Sequence, residues 1–160
     1  MKITSTIRMT SKTCRSFFLS CLFLAAFGAA TFAQPCGGPA HFDLHSQADI
    51  DNFQANYGPC SVANANFDIK GSDITDLTPL SGLTSVQVLF ISHCPNLLSL
   101  AGLENITSVS ALAVNSNALL EDLDPLSNIS GHVPNYISVG GNPSLKNIDG
   151  LSNITSGERM

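Results

Sequence analysis

Basic residues are scarce in this 160-residue sequence, which has seven Lys and Arg against twelve Asp and Glu. Four of the seven basic residues lie within the first 15 positions, so residues 34–160 carry three basic and twelve acidic side chains, a formal net charge of −9. A surface with this charge repels phosphate backbones and anionic lipids, and no basic patch is present to neutralise them. We therefore predict no nucleic-acid partner.

Motifs for catalysis are also missing from the sequence. No serine lies in a Gly-x-Ser-x-Gly elbow, and Gly140-Gly141-Asn142 resembles a turn within a repeat rather than a phosphate-binding loop. Enzymes that cleave polysaccharides need acids clustered with Arg or Lys at a groove, and three basic residues are too few to supply them. We predict that the protein is not an enzyme, has no catalytic residue and needs no cofactor.

The first 33 residues have the features of a secretory signal peptide. Four basic residues between Lys2 and Arg15 precede a mostly apolar run from Phe17 to Ala30, and Thr31-Phe32-Ala33 places small side chains where signal peptidase acts. The apolar run is short for a bilayer span, which needs about 20 residues. We expect cleavage after Ala33, no membrane span afterwards, and a location outside the cell or at its surface. The alternative is an uncleaved membrane anchor.

Three cysteines remain once the signal peptide is removed, namely Cys36, Cys60 and Cys94. An oxidising compartment favours a Cys36–Cys60 disulfide. Closing a loop of this size contributes about 3 kcal/mol to stability.

Residues 34–62 are predicted to form an N-terminal cap that contains a short helix. Ser46 is a good N-cap for a helix over residues 46–57. Its apolar residues Ile50, Phe53 and Tyr57 would then share one face, and Gly58-Pro59 would end it.

Residues 63–160 contain four repeats of about 23 residues, the last one incomplete. Leu77, Leu100, Leu123 and Ile148 are separated by 23, 23 and 25 residues, and three other apolar columns keep this register. Those columns are Ile74, Leu97, Leu120 and Leu145; Leu80, Leu103, Leu126 and Leu151; Leu83, Ile106, Ile129 and Ile154. Such repeats bury their apolar edges only by stacking, so we predict a mainly β parallel solenoid with an N-terminal capping helix.

Each repeat begins with an alternating segment that predicts a half-buried strand. The inward residues are Phe67 and Ile69, Leu89 and Ile91, Leu112 and Val114, and Ile137 and Val139. In the turn that follows, one column holds Cys94, Asn117 and Asn142. Buried asparagine side chains can bond the open backbone of a turn, so we predict that Cys94 is a buried free thiol in this column. The alternative, a reactive or metal-binding Cys94, lacks a second ligand at suitable spacing.

The sequence resembles the receptor L domain group, which is related to leucine-rich repeats. The resemblance rests on Gln47-Ala-Asp-Ile-Asp51 between Cys36 and Cys60, and on repeated segments such as Ile74-Thr-Asp-Leu-Thr-Pro-Leu-Ser-Gly-Leu83. It covers nearly all of residues 34–160. It implies a right-handed β-solenoid that binds a ligand or protein, without catalytic residues to carry over, and we expect a bacterial surface or exported protein.

Metal sites are not predicted. His41-Phe-Asp43-Leu-His45 sets two imidazoles and a carboxylate on one side of an extended segment, but no further ligand is evident at a suitable spacing. Asp124 and Asp149 share a column and are interpreted as solvated carboxylates rather than a Ca²⁺ site, because Ca²⁺ needs six or more oxygens.

The candidate binding surface is the outward face of the repeat strands. Its predicted residues are Val88, Phe90, Ala111, Ala113, Tyr136 and Ser138. Apolar and aromatic side chains there favour an interaction site, although a covering segment of the protein is an equal alternative. We predict a secreted or cell-surface module that recognises a protein or glycan. The alternative is a structural spacer, a fragment of a larger surface or adhesion protein.

Overall fold

The computed structural model describes residues 35–157, and the predicted signal peptide of residues 1–33 lies outside the described residues. The strands, in chain order, are β1 (His41–Leu44), β2 (Val62–Ile69), β3 (Ser85–Ser92), β4 (Ala111–Asn115), β5 (Gly131–Val133), β6 (Tyr136–Gly140) and β7 (Ile154–Gly157). The α-helices are α1 (Gln47–Asp51) and α2 (Phe53–Tyr57). None of the helices within residues 35–157 is long and apolar enough to cross a membrane.

Five of these strands form one parallel sheet in the order β1-β2-β3-β4-β6, and β5 pairs with β7 in a separate two-stranded parallel sheet. Neighbouring strands of the main sheet come from successive repeats. Phe67 is paired with Leu89, Leu89 with Leu112, and Leu112 with Ile137. The predicted parallel pairing of the repeats, and its register, are therefore confirmed.

The predicted fold class, a mainly β right-handed solenoid, is wrong. The described chain is a small α/β protein with one five-stranded parallel sheet and few helices. The reason lies in the segments that return the chain from one strand of the main sheet to the next, because within residues 35–157 they close mostly as short helices and turns, with the short strand β5 between β4 and β6. The helices α1 and α2 separate β1 from β2, and 3₁₀ helices form at Thr78–Leu80, Asp124–Leu126 and Asp149–Leu151.

The leucine columns form the core against one face of the main sheet. Leu77, Leu100 and Leu123 are fully buried, whereas Ile148 in the last repeat is 57% exposed. The same change affects the neighbouring columns, because Leu145 and Leu151 are only half-buried. Apolar periodicity thus predicted the interior positions correctly for three repeats, and the fourth repeat forms the open side of the core.

The N-terminal cap contains two short helices rather than the single helix predicted over residues 46–57. Ser46 caps α1 as expected, since its hydroxyl accepts a hydrogen bond from the Asp49 amide at 3.2 Å. The helical path is interrupted at Asn52, which separates α1 from α2. Ile50 and Phe53 are nevertheless fully buried against the sheet.

Aromatic rings join this cap to the first two strands. Phe42 of β1 contacts Phe53, Tyr57 and Phe67 with ring centroids 5.2, 4.8 and 4.9 Å apart. Rings at these distances and tilts contribute about 0.5–1.5 kcal/mol per pair beyond their burial. The cap is therefore part of the same core as the repeats.

The predicted disulfide between Cys36 and Cys60 is present, with Cα atoms 4.7 Å apart. It joins the segment before β1 to the segment before β2. The backbone amide of Cys36 also donates a hydrogen bond to the carbonyl of Val62. A disulfide is compatible with an extracellular protein. The proposed boundaries of the cap at residues 34–62 and of the repeats at residues 63–160 stay predictions.

A second set of asparagines forms a ladder that the sequence patterns did not reveal. The Nδ2 atoms of Asn105, Asn128 and Asn153 each donate to a backbone carbonyl of the preceding repeat, at 2.9, 2.6 and 2.7 Å. Each of the three residues also begins an Asn-x-Ser/Thr glycosylation sequon, and the sequon recurs because the repeat recurs. Their side-chain bonds give this column a structural role, since they satisfy carbonyls of turns that have no strand partner.

Candidate binding face

The outward face of the main sheet changes character from one end to the other. Along one row of paired positions, Asp43 and Asp68 are followed by Phe90, Ala113 and Ser138. The outward residues of β1 and β2 are therefore acidic at these positions, whereas β3 and β4 present an aromatic ring and a methyl group. This arrangement follows from strand alternation, because every second residue points away from the core.

Two aromatic rings lie over the middle of this face. Phe90 of β3 and Tyr136 of β6 have ring centroids 6.0 Å apart and planes inclined by 24°. Their strands are separated by β4, so the rings lean toward each other across Ala111 and Ala113. The small alanine side chains make this approach possible. The two rings and the alanines between them form an apolar surface beside the acidic positions of β1 and β2.

A groove of about 340 Å³ opens beside this aromatic pair. Phe90 and Tyr136 line one part of it, and Ala113 forms part of the floor. Its polar groups are the Asp68 carboxylate, the Asn115 amide and the hydroxyls of Ser92 and Ser138. Binding sites for small ligands commonly combine an apolar surface with a few such polar groups.

The predicted binding residues are distributed unequally around this groove. Phe90, Ala113, Tyr136 and Ser138 line it, whereas Ala111 is fully buried and Val88 is half-buried outside the lining. Ala111 is therefore covered in this structure, unlike the residues that line the groove. The role of all six residues in binding stays a prediction.

Two groove residues, Ser92 and Asn115, were missed by the sequence analysis, whereas Asp68 was recognised there as an outward residue of the strands. Each has the same outward orientation as a predicted residue, and each is found by continuing the row of paired strand positions. The signal was present in the alternation. Apolar periodicity does not mark these positions, because the groove is completed by its polar groups.

The groove carries negative charge and hydrogen-bonding groups but no positive charge, since no Lys or Arg lines it within the described residues. Partial burial raises the pKa of the Tyr136 phenol above its ordinary value of 10.0. The phenol is therefore neutral at physiological pH and can both donate and accept a hydrogen bond. Ser138 Oγ donates to Asn115 Oδ1 at 3.4 Å, which positions these two groups relative to each other.

A second group of polar side chains lies at the β1 end of the same face. His41, Asp43 and Asp68 each offer a potential metal ligand atom, and these three atoms lie within 4.8 Å of one another. His45 Nε2 is also 3.4 Å from Asp68 Oδ2. The sequence alone predicted no metal here, because Asp68 belongs to a different strand and its proximity depends on the register of β1 with β2.

An apolar groove of about 670 Å³ lies on the open side of the last repeat. Its lining includes Ile137, Val139, Leu145 and Ile148, whose equivalents in the preceding repeats are fully buried. The groove is thus an exposed edge of the core, next to the edge strand β6. Its polar side chains are Ser138 and Asn142.

Comparison of the chain with protein-family models, with curated proteins and with solved structures found no match. The resemblance to the receptor L domain group accordingly stays a prediction that rests on the repeated motif. The groove beside Phe90 and Tyr136 is the feature from which a function is best inferred.

Proposed function

We propose that this protein is a secreted or cell-surface binding module that recognises a glycan through the groove beside Phe90 and Tyr136. The observation that carries the proposal is the aromatic pair flanked by carboxylate, amide and hydroxyl groups in one groove. The role in binding is also what the resemblance to the receptor L domain group implies.

A glycan fits this groove because a sugar ring has both an apolar and a polar side. The C–H groups of a pyranose pack against an aromatic face, as Phe90 and Tyr136 offer. Its hydroxyls donate and accept hydrogen bonds, as do Asp68, Asn115 and Ser138. A volume of about 340 Å³ suits one or two sugar rings.

Charge narrows the class of glycan. The groove contains Asp68 and lacks Lys and Arg among the described residues, and residues 34–160 carry a formal net charge of −9, from three basic and twelve acidic side chains. A sulfated or carboxylated sugar would be repelled by this charge. Neutral or amino-substituted glycans are therefore the expected ligands.

The test is a glycan array probed with the disulfide-bonded mature chain. We expect the wild type to bind a set of neutral or cationic glycans, and Phe90→Ser and Tyr136→Ser to weaken binding at least about tenfold, which equals 1.4 kcal/mol. Leu98→Ser is a matched control, because Leu98 is 57% exposed and lies outside the groove lining. Circular dichroism should show that all three variants fold.

Two results would contradict the proposal. One is a wild-type protein that captures no glycan on the array. The other is equal binding by the wild type and by folded Phe90→Ser and Tyr136→Ser variants. If the same two substitutions instead abolish capture of a protein, the groove is a protein-binding site.

A structural spacer is the second candidate function, and the open side of the last repeat favours it. Edge strand β6 and the partly exposed Ile137, Leu145 and Ile148 could stack against a further apolar layer. A spacer would be unaffected by Phe90→Ser and Tyr136→Ser. It would instead depend on Ile148, so Ile148→Glu should abolish assembly seen by sedimentation velocity if stacking is its role.

A further inference from the structure

We infer that His41, Asp43, His45 and Asp68 form a Zn²⁺ site on the outward face of the β1–β2 pair. The site goes beyond the proposed glycan binding and shares one residue, Asp68, with the groove. Three of the four residues occupy alternate positions in and just after β1. The fourth, Asp68, is the residue of β2 that pairs with Asp43.

His41, Asp43 and Asp68 offer ligand atoms that all lie within 4.8 Å of one another, and His45 lies beside both carboxylates. His41 Nε2 is 3.0 Å and His45 Nε2 is 3.6 Å from Asp43 Oδ1, and His45 Nε2 is 3.4 Å from Asp68 Oδ2. Zinc bonds of 2.0–2.2 Å in a tetrahedron place neighbouring ligand atoms about 3.3–3.6 Å apart. His41, Asp43 and Asp68 are therefore close enough to bind one ion together, and His45 would have to approach His41 to join them as the fourth ligand.

The electrostatics of the cluster favour a cation. The carboxylates of Asp43 and Asp68 lie on adjacent strands, and the ion-pair partners of both are histidines alone among the described residues. No Lys or Arg among the described residues forms an ion pair with either carboxylate. A divalent cation would neutralise both carboxylates and use the free lone pair of each imidazole.

The backbone that carries these ligands is fixed on both sides. His41 lies in β1, which pairs with β2 over its whole length. The amide of His45 donates to Asp49 Oδ2 at 3.1 Å, and the Ser46 hydroxyl donates to the same oxygen at 2.7 Å. These bonds hold the turn into α1, so His45 is positioned before any metal arrives.

The ligand set decides between metals. Two imidazoles with two carboxylates suit Zn²⁺, whereas Ca²⁺ and Mg²⁺ prefer six or more oxygen ligands. The side chains of His41 and His45 are 45% and 44% exposed, so the ion can reach the site from solvent. Bound zinc would connect β1 to β2, and it would lie at the Asp68 end of the groove.

The test uses the full mature chain with its disulfide intact, dialysed against EDTA and then titrated with ZnCl₂ by isothermal calorimetry. We expect one Zn²⁺ per chain, confirmed by elemental analysis after gel filtration, and no saturable binding of CaCl₂. His41→Ala, His45→Ala and Asp68→Asn should each weaken zinc binding at least about tenfold, as even indirect partners of a metal do. Zinc should also raise the unfolding temperature of the wild type and not of His45→Ala.

Matched controls separate the site from ordinary surface binding. His132→Ala and Asp124→Asn remove exposed residues of the same types outside the cluster and should leave zinc binding unchanged. Phe90→Ser should also retain zinc, which distinguishes failure of the metal site from failure of the glycan proposal. The inference is overturned if the wild type binds no more zinc than a folded His41→Ala/His45→Ala variant. Equal losses in the control variants would overturn it as well.

Discussion

The side chain of buried Asn117 accepts a hydrogen bond from the backbone amide of Cys94, 3.1 Å away in the preceding repeat. Its Nδ2 donates to the carbonyl of Ile91 at 3.1 Å. Asn142 repeats this pattern one repeat later, since it accepts from the amide of Asn117 and donates to the carbonyl of Val114. The predicted column of Cys94, Asn117 and Asn142 is therefore confirmed as a ladder of turn-stabilising side chains.

Asn117→Ala should lower the free energy of unfolding by about 2–6 kcal/mol, because each of two buried backbone groups would lose its partner at a cost of about 1–3 kcal/mol. Urea denaturation followed by circular dichroism measures the change. Asn56→Ala is the control, since Asn56 is exposed on α2 and alanine favours a helix. A loss for Asn117→Ala no larger than that for Asn56→Ala would argue against the ladder as a source of stability.

Cys94 should be unreactive in the folded protein, and it should make stability depend on pH. Its thiol is buried and forms no disulfide. Burial is the main cause that raises the pKa of this thiol above the ordinary value of 9.0, and the nearby carboxylates of Asp68 and Asp73 raise it further. Because the folded state holds this proton more tightly than the unfolded state, the contribution is fully present below pH 9 and is lost as the pH rises above 9.

This expectation is checked by comparing the wild type with Cys94→Ala. The difference in their unfolding free energies should shrink between pH 9 and higher pH, and a thiol reagent should label the wild type only after unfolding. Rapid labelling of native protein at pH 8 would show that Cys94 is accessible, contrary to the structure.

Gly102→Ala should destabilise the fold, because the backbone there has a φ of +105° and runs close to the preceding repeat. A Cβ at this position would overlap the carbonyl oxygen of Leu77. We expect a loss of about 1–3 kcal/mol or more from strain. Gly37→Ala is the matched control, since nothing lies within 4 Å of its added Cβ. Thermal unfolding that ranks the two variants equally would be incompatible with this close contact.

Removing the disulfide should destabilise the N-terminal cap. Cys36→Ser combined with Cys60→Ser should lower the free energy of unfolding by about 2–4 kcal/mol, because the bond closes a segment with a sequence separation of 24. Dithiothreitol should lower the unfolding temperature of the wild type to that of the double variant. Dithiothreitol should leave the unfolding temperature of the double variant unchanged, and a decrease in that temperature would point to another reducible bond.

The apolar pattern predicted most of the interior correctly, since burial depends mainly on which residues recur in register. Leu77, Leu100 and Leu123 were predicted to be buried from spacing alone. The N-cap role of Ser46 was equally predictable, because it depends on contacts within four residues. Fold class was predicted wrongly, since periodicity shows that the repeats stack but not whether the returning segments become strands or helical turns.

The candidate sites were predictable only in part. Phe90 and Tyr136 were recognised as unusual outward residues, but their ring stacking depends on side chains leaning across β4. Ala111 was expected at the surface and is fully buried in β4, between the strands that carry Phe90 and Tyr136. Asp68 could not be assigned to His41 and His45 from the sequence, since it lies 23 residues after His45.

The sequence by itself determined the repeat register, the Cys36–Cys60 pairing and the Asn117 column, because each follows from the order of residues along the chain. Only the tertiary structure decided the α/β class, the groove beside Phe90 and the meeting of His45 with Asp68. These features depend on distances between side chains of different strands, which are set by sheet pairing and by the packing of neighbouring rings and turns. Local spacing along the chain contains no measure of those distances.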